Sequence, residues 1–233
     1  MDRIGIDLEH TGKAERQRDL GTWVSPHRLE QLAELPLRRA QRFARVDPAD
    51  PRVEDLLDAG ADVLMLPMVS GPRDAAAFVD EVAGRARVVL LVERAEALRS
   101  LAGLAAVEGV DEIHLGLNDL ALSLGLRNRW LVLATGIGRR AGRVVAEAGL
   151  PFGLGGIGRP ADRSLPLAAD LVYAELASSG ATSTLLSRSF GRNLVAEVAS
   201  ARERLDHWQR AGAVELERAH RALVRYADTA TVF

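Results

Sequence analysis

Glu93 and Asp119 each close an apolar run, Arg87-Val-Val-Leu-Leu-Val-Glu93 and Asp111-Glu-Ile-His-Leu-Gly-Leu-Asn-Asp119. A continuous Val/Leu run suits a strand buried on both faces of a parallel sheet wrapped by helices. Folding explains an acid at the end of such a strand poorly, because burying an unpaired charge is costly. Two acids at the same end of neighbouring strands repel unless a cation lies between them. The pair points to a divalent metal site at the rim of a barrel, and its hard oxygen ligands suit Mg²⁺ or Mn²⁺.

Further chemistry-bearing residues fall at other strand ends. Ile4-Gly-Ile-Asp-Leu-Glu-His10 closes with Asp7, Glu9 and His10. The period of two puts Asp7 and Glu9 on one face, and His10 begins the loop. A histidine oriented by a carboxylate is a candidate general base near neutral pH. Arg45, just before Asp47-Pro-Ala-Asp-Pro51, could hold a carboxylate or steady an enolate oxygen, or else pair with Asp47 or Asp50. Lys13, the only lysine, stands in the polar stretch Thr-Gly-Lys-Ala-Glu-Arg, unlike the apolar pocket of a Schiff-base lysine. Gly153-Leu-Gly-Gly-Ile-Gly158 reads as a glycine loop, serving a turn or contacting substrate, and not as a dinucleotide fingerprint. His114 is expected as a hydrogen-bonded interior histidine. His27, His207 and His220 are expected at the surface or an interface.

The elements that must hold these groups alternate. Strands are expected at 4–8, 41–46, 62–67, 87–92, 112–116, 151–155 and 182–187. Helices are expected at 52–59, 73–82, 95–107, 130–148 and 166–179. Repeated βα units imply a parallel sheet, and the spacing fits a (β/α)8-type TIM barrel with its site at the carboxyl ends of the strands. Seven strands are found, so the barrel is expected to lack its first βα unit, with the tail 229–233 as a candidate filler. From Asn193 two apolar stripes separated by Ala211-Gly212 predict a C-terminal helical hairpin. The expected division is a catalytic barrel at 1–190 and a helical extension at 191–233 that packs on the barrel or a neighbouring subunit.

Composition narrows the classes. The 233 residues fit one large α/β domain, and 48% hydrophobic with 27% charged residues is the balance of a globular protein. A formal charge of -2 gives no reason to expect nucleic acid or an anionic membrane as partner. Absence of cysteine excludes disulfides and thiolate chemistry. Acidic and basic residues at the start argue against a signal segment, and no run is long enough to span a bilayer, so a cytoplasmic homo-oligomer is expected.

Taken together, Ile-Asp-Leu-Glu-His10, Ala-Arg45-Val, Gly60-Ala-Asp-Val-Leu-Met-Leu-Pro67-Met-Val, Leu-Val-Glu93 and Gly116-Leu-Asn-Asp119-Leu…Ser123-Leu-Gly125 resemble the HpcH/HpaI aldolase and citrate lyase β-chain family. The resemblance runs from about residue 4 to 126. It implies metal-binding acids at Glu93 and Asp119, and an arginine for the oxo-acid or enolate at Arg45. It further implies a catalytic histidine at His10 with Asp7 or Glu9 as its acidic neighbour, and substrate contacts at Gly116, Leu117 and Asn118. The implied activity is metal-dependent cleavage or formation of a carbon–carbon bond in a 2-oxo acid or acyl-CoA substrate through an enolate. The alternative is a catalytically retired barrel serving as scaffold or ligand-binding subunit, which metal titration would distinguish.

Overall fold

The computed structural model describes residues 3–16, 27–35, 40–163, 167–187, 189–191 and 193–230. Seven strands follow in sequence order in one seven-stranded sheet. The chain forms two compact units, Met1–Ile113 and His114–Phe233.

The first unit runs β1 (Arg3–Asp7), α1 (Lys13–Arg16), α2 (Glu30–Ala33), β2 (Gln41–Arg45), α3 (Val53–Asp58) and β3 (Val63–Leu66). It continues through α4 (Pro72–Val82), β4 (Arg87–Val92), α5 (Ala95–Arg99) and α6 (Leu101–Ala105) into β5 (Glu112–Leu115), which crosses into the second unit. Strands β1 to β4 pair in parallel. Every residue of β3, and every residue of β4 after Arg87, is buried, as uninterrupted apolar runs require. Proline at the first turn of α4 supplies a preset φ where no helical N–H partner is needed. Ala75, Phe78 and Val82 form its buried stripe. The expected helix 95–107 is two short helices meeting at Ser100.

Register fixes what each face carries. Asp7 lies beside Arg45, Arg45 beside Met65, and Met65 beside Val89. Val63, Met65, Val89 and Leu91 make a buried cluster with Phe43 against it. By the period of two, Asp7, Arg45 and Glu93 belong to this same face at the carboxyl ends of their strands. At its amino end Arg3 meets Glu112 at 2.7 Å. A flat sheet would hold the first and fifth strands about 19 Å apart, so the sheet of this unit is strongly curled.

The second unit holds α7 (Leu117–Ser123), α8 (Trp130–Ala134), α9 (Ile137–Glu147), β6 (Phe152–Ile157), α10 (Ala169–Ser178), β7 (Ser183–Leu186), α11 (Leu194–Arg210) and α12 (Ala213–Thr229). Strands β6 and β7 are parallel. Gly136, at φ 72°, splits the expected helix 130–148 into α8 and α9. The stretch expected as a glycine loop is strand β6 through Ile157, so the loop reading is corrected. A Cβ on Gly153 would lie 1.9 Å from His114 Nε2, so glycine there makes room for a side chain from β5.

Helices α11 and α12 both pack against α10, and α12 also packs against α8. Polar anchors reinforce this packing. The indole of Trp208 donates to Asp170 at 3.0 Å, and the Asn128 amide donates to the carbonyls of Ala227 and Ala230 at 3.0 and 2.9 Å. Buried Glu175 accepts from Arg139 at 2.7 Å and lies 2.7 Å from His220 Nδ1. Thr229 closes α12 and is not part of a strand; residues 231–233 of the expected filler lie outside the described residues.

Candidate functional site

In the first unit the carboxyl end of β1 builds a dense charge network. Both Asp7 carboxylate oxygens accept from Arg45, Oδ1 from Nε at 2.8 Å and Oδ2 from Nη2. Lys13 Nζ lies 2.8 Å from Asp7 and 3.2 Å from Glu9. Glu9, almost wholly buried, also accepts from Arg16 at 2.5 Å and lies 3.5 Å from Arg45 Nε. Parallel register puts Asp7 and Arg45 side by side on one face, and α1 folds Lys13 and Arg16 back over them. Burial alone would raise the Asp7 pKa. The Arg45 hydrogen bonds and charge, joined by Lys13, outweigh burial and hold the carboxyl well below the usual range. Burial likewise disfavours the Arg45 charge, but Asp7, Glu9 and Glu93 more than restore it.

Arg45 therefore pairs with Asp7, and the alternative pairing with Asp47 or Asp50 is corrected. Asp47 instead collects the N–H groups of His10, Thr11 and Ala49 and the Thr11 hydroxyl, at 2.7 to 2.9 Å. Burial acts against these bonds, yet they lower its pKa to about 2. His10 is thus fixed through its backbone while its side chain is exposed. The expected orienting carboxylates, Asp7 and Glu9, are committed to cations, because three cationic groups within reach outcompete a neutral imidazole. His27, expected at the surface, accepts the Asp7 N–H through Nδ1 at 3.0 Å. It lines a cavity of about 450 Å³ with His10, Thr11 and Asp47.

Glu93 follows β4 directly and is 5% exposed. The Met68 N–H approaches its Oε2 at 3.4 Å. Met68 holds φ 56°, a left-handed conformation that costs a non-glycine residue free energy, just past the end of β3. Glu93 also registers on the Arg45 guanidinium electrostatically. Asp7, Arg45 and Glu93 thus lie within one unit, at the carboxyl ends of β1, β2 and β4.

The second unit holds Gly116, Leu117, Asn118 and Asp119. Strand β5 ends at Leu115, so Asp119 is not at a strand end; it is the third residue of α7. An acid in the first turn of a helix lies where the backbone dipoles favour it. Asp119 is 3% exposed. Asn118 accepts from Arg129 Nη1 at 3.2 Å. His114 is an interior histidine, bonded through Nε2 to Ser183 Oγ at 2.9 Å.

Sequence reasoning missed the burial of Lys13 and the roles of Arg16 and His27. Glu9, four residues before Lys13 and seven before Arg16, was the available signal for the two cations. No described helix is long and apolar enough to cross a membrane.

Solved structures share the fold at low identity. RipC from Yersinia pestis has TM-score 0.62 and 17% identity, covering 91% of this chain and 90% of that one. An HpcH/HpaI aldolase/citrate lyase family protein from Burkholderia cenocepacia J2315 has TM-score 0.60 and 21% identity, covering 89% and 86%. The citrate lyase beta subunit of M. tuberculosis, complexed with oxaloacetate and magnesium, has TM-score 0.58 and 21% identity, covering 87% and 86%. No curated protein sequence matches. The family profile described as HpcH/HpaI aldolase/citrate lyase spans residues 1–146, which include every candidate site residue, and the chain belongs to that family.

Proposed function

We propose that this chain is a metal-dependent carbon–carbon lyase that acts on a 2-oxo acid or acyl-CoA substrate through an enolate. The observation that carries the reading is the orientation of Arg45. Asp7 takes Nε and Nη2, and among the described residues no partner takes Nη1, so one edge of a rigid cationic fork is left for a substrate oxygen. Cleavage leaves negative charge on the former carbonyl oxygen, and a preorganised guanidinium beside it lowers that barrier. Asp7 holds the fork rigid. Glu9, Lys13 and Arg16 hold Asp7 and Arg45 in register. His10 would take or return the hydroxyl proton directly or through water, from the loop that Asp47 fixes. Gly116, Leu117 and Asn118 would contact the substrate.

Glu93 and Asp119 would hold Mg²⁺ or Mn²⁺. Both are buried carboxylates, the donor chemistry these ions prefer. Two acids leave the remaining coordination positions of such an ion to water and substrate oxygens. When bound, the ion would supply Lewis-acid stabilisation of the enolate. Magnesium and oxaloacetate accompany the M. tuberculosis citrate lyase beta subunit, which supports the same class here. A (β/α)8-type barrel, with 1–190 as its catalytic part and 191–233 as a helical extension, completes the reading. So does a cytoplasmic homo-oligomer.

The test is deuterium exchange into the methyl group of pyruvate, followed by proton NMR with Mg²⁺ present. Exchange catalysed by the wild type and lowered about 100-fold or more in Arg45→Gln is expected, the scale of losing one oxyanion donor. Equal exchange in both proteins would overturn the role of Arg45.

A further inference from the structure

Three adjacent polar residues enter α8, and only two have a structural task. Arg127 donates to the carbonyls of Ala227 and Asp228 at 3.3 and 2.7 Å and lies 3.4 Å from the Asp228 carboxylate. Asn128 is fully buried and closes the same end of α12. Arg129 turns away from both. Its Cζ lies 4.8 Å from the centre of the Trp130 ring, and its Nη1 donates to Asn118 Oδ1. Among the described residues no carboxylate lies within 4.0 Å of it, since Asp228 is taken by Arg127. As the residue before α8 it gains nothing from the helix dipole. Burial weakens its charge, and only Tyr226 acts the other way.

A half-buried guanidinium with one of five donors used is an incomplete ion pair. Water solvates the charge of an exposed arginine, but this one is stacked on an indole and held by an amide, so it is both partly desolvated and preorganised. Its anchor, Asn118, immediately precedes Asp119 in the first turn of α7. We propose that Arg129, fixed by Trp130 and Asn118, is an anion-binding residue that receives a carboxylate or phosphate of the ligand by a bidentate contact. Naming that ligand as the second half of the substrate rests on the lyase reading; the anion site itself does not. A distal carboxylate of a dicarboxylic oxo acid and a phosphate of an acyl-CoA share this chemistry. Either would make Arg129 a specificity determinant and not a catalytic residue.

The experiment titrates succinate, inorganic phosphate and coenzyme A separately at constant ionic strength, following Trp130 fluorescence by its difference from a Trp130→Phe protein and heat by calorimetry. Wild type, Arg129→Gln, Arg129→Lys and Glu93→Gln are compared. Saturable binding of at least one anion is expected, weakened about 10- to 100-fold in Arg129→Gln, the scale of one charged hydrogen-bonded contact. Arg129→Lys should recover part of it, since it keeps the charge and loses the fork. Preference for succinate assigns the carboxylate source, and preference for coenzyme A the phosphate source. Glu93→Gln should bind the anion as the wild type does, so failure of the metal site leaves this result intact. Absence of saturable binding, or equal binding by wild type and a folded Arg129→Gln, overturns the proposal. So would a dimer, found by sedimentation, that Arg129→Gln dissociates.

Discussion

Asp7→Asn isolates the charge of the network at nearly constant shape. In the wild type one carboxylate serves both Arg45 and Lys13. Asparagine keeps one acceptor oxygen but loses the charge that offsets two cations. Breaking a fully buried pair by removing one partner costs about 3–5 kcal/mol. Here the side chains are 22% and 18% exposed, and Glu9 still lies 3.5 Å from Arg45 and 3.2 Å from Lys13. Water and that second acid reduce the cost to about 2–3 kcal/mol, or about 5–10 °C in Tm for a chain of this size. The pH dependence fixes the sign. The folded Asp7 pKa is depressed below the ordinary 3.8, so its contribution is complete above that value and is lost as pH falls toward the folded pKa. Urea unfolding should therefore show a constant gap between wild type and variant from about pH 5 to 8 and a shrinking one below about pH 4. A gap under about 0.5 kcal/mol at pH 7, the size of an exposed pair, would refute the reasoning, as would a gap that widens on acidification.

Two further substitutions probe the second unit. Gly153→Ala would set a Cβ 1.9 Å from His114 Nε2 and should cost about 1–3 kcal/mol, measured by thermal melting; Gly156→Ala, whose Cβ would come no nearer than 3.6 Å to the Leu185 carbonyl oxygen, should be nearly silent, and equal effects would contradict the packing of β6 on His114. Glu175→Ala should strand Arg139 and His220, which both lean on that buried carboxylate, at a cost of about 3 kcal/mol, with faster amide exchange along α12. Unchanged exchange in α12 would show that its apolar face alone holds it to α10.

All seven strands were legible because runs such as Val88–Val92 are apolar without interruption, and only a strand covered on both faces uses such a run. Two expected helices broke at Ser100 and Gly136, where spacing alone carries no record of a turn. Asp119 misled because strand and helix meet at Gly116 without a polar boundary. The stretch Gly153–Ile157 read as a strand to Gly155 and also as a glycine loop, because its glycines answer to neighbours distant in sequence, His114 and Leu117. Asp7, Arg45 and Glu93 were legible as strand ends. Lys13 was not, because a polar hexapeptide reads as solvated unless the buried Glu9 and the half-buried Asp7 are known to await its only lysine. His27 likewise serves a backbone group twenty residues away.

Calorimetric titration with Mg²⁺ or Mn²⁺ tests the central claim most directly, on wild type, Glu93→Gln and Asp119→Asn, with and without pyruvate. The account predicts one ion per chain, tighter binding when pyruvate is present, and loss of about 10-fold or more in affinity for each variant, since each removes a charged oxygen ligand. Wild type that binds neither ion, or variants that bind as well as wild type, would contradict it.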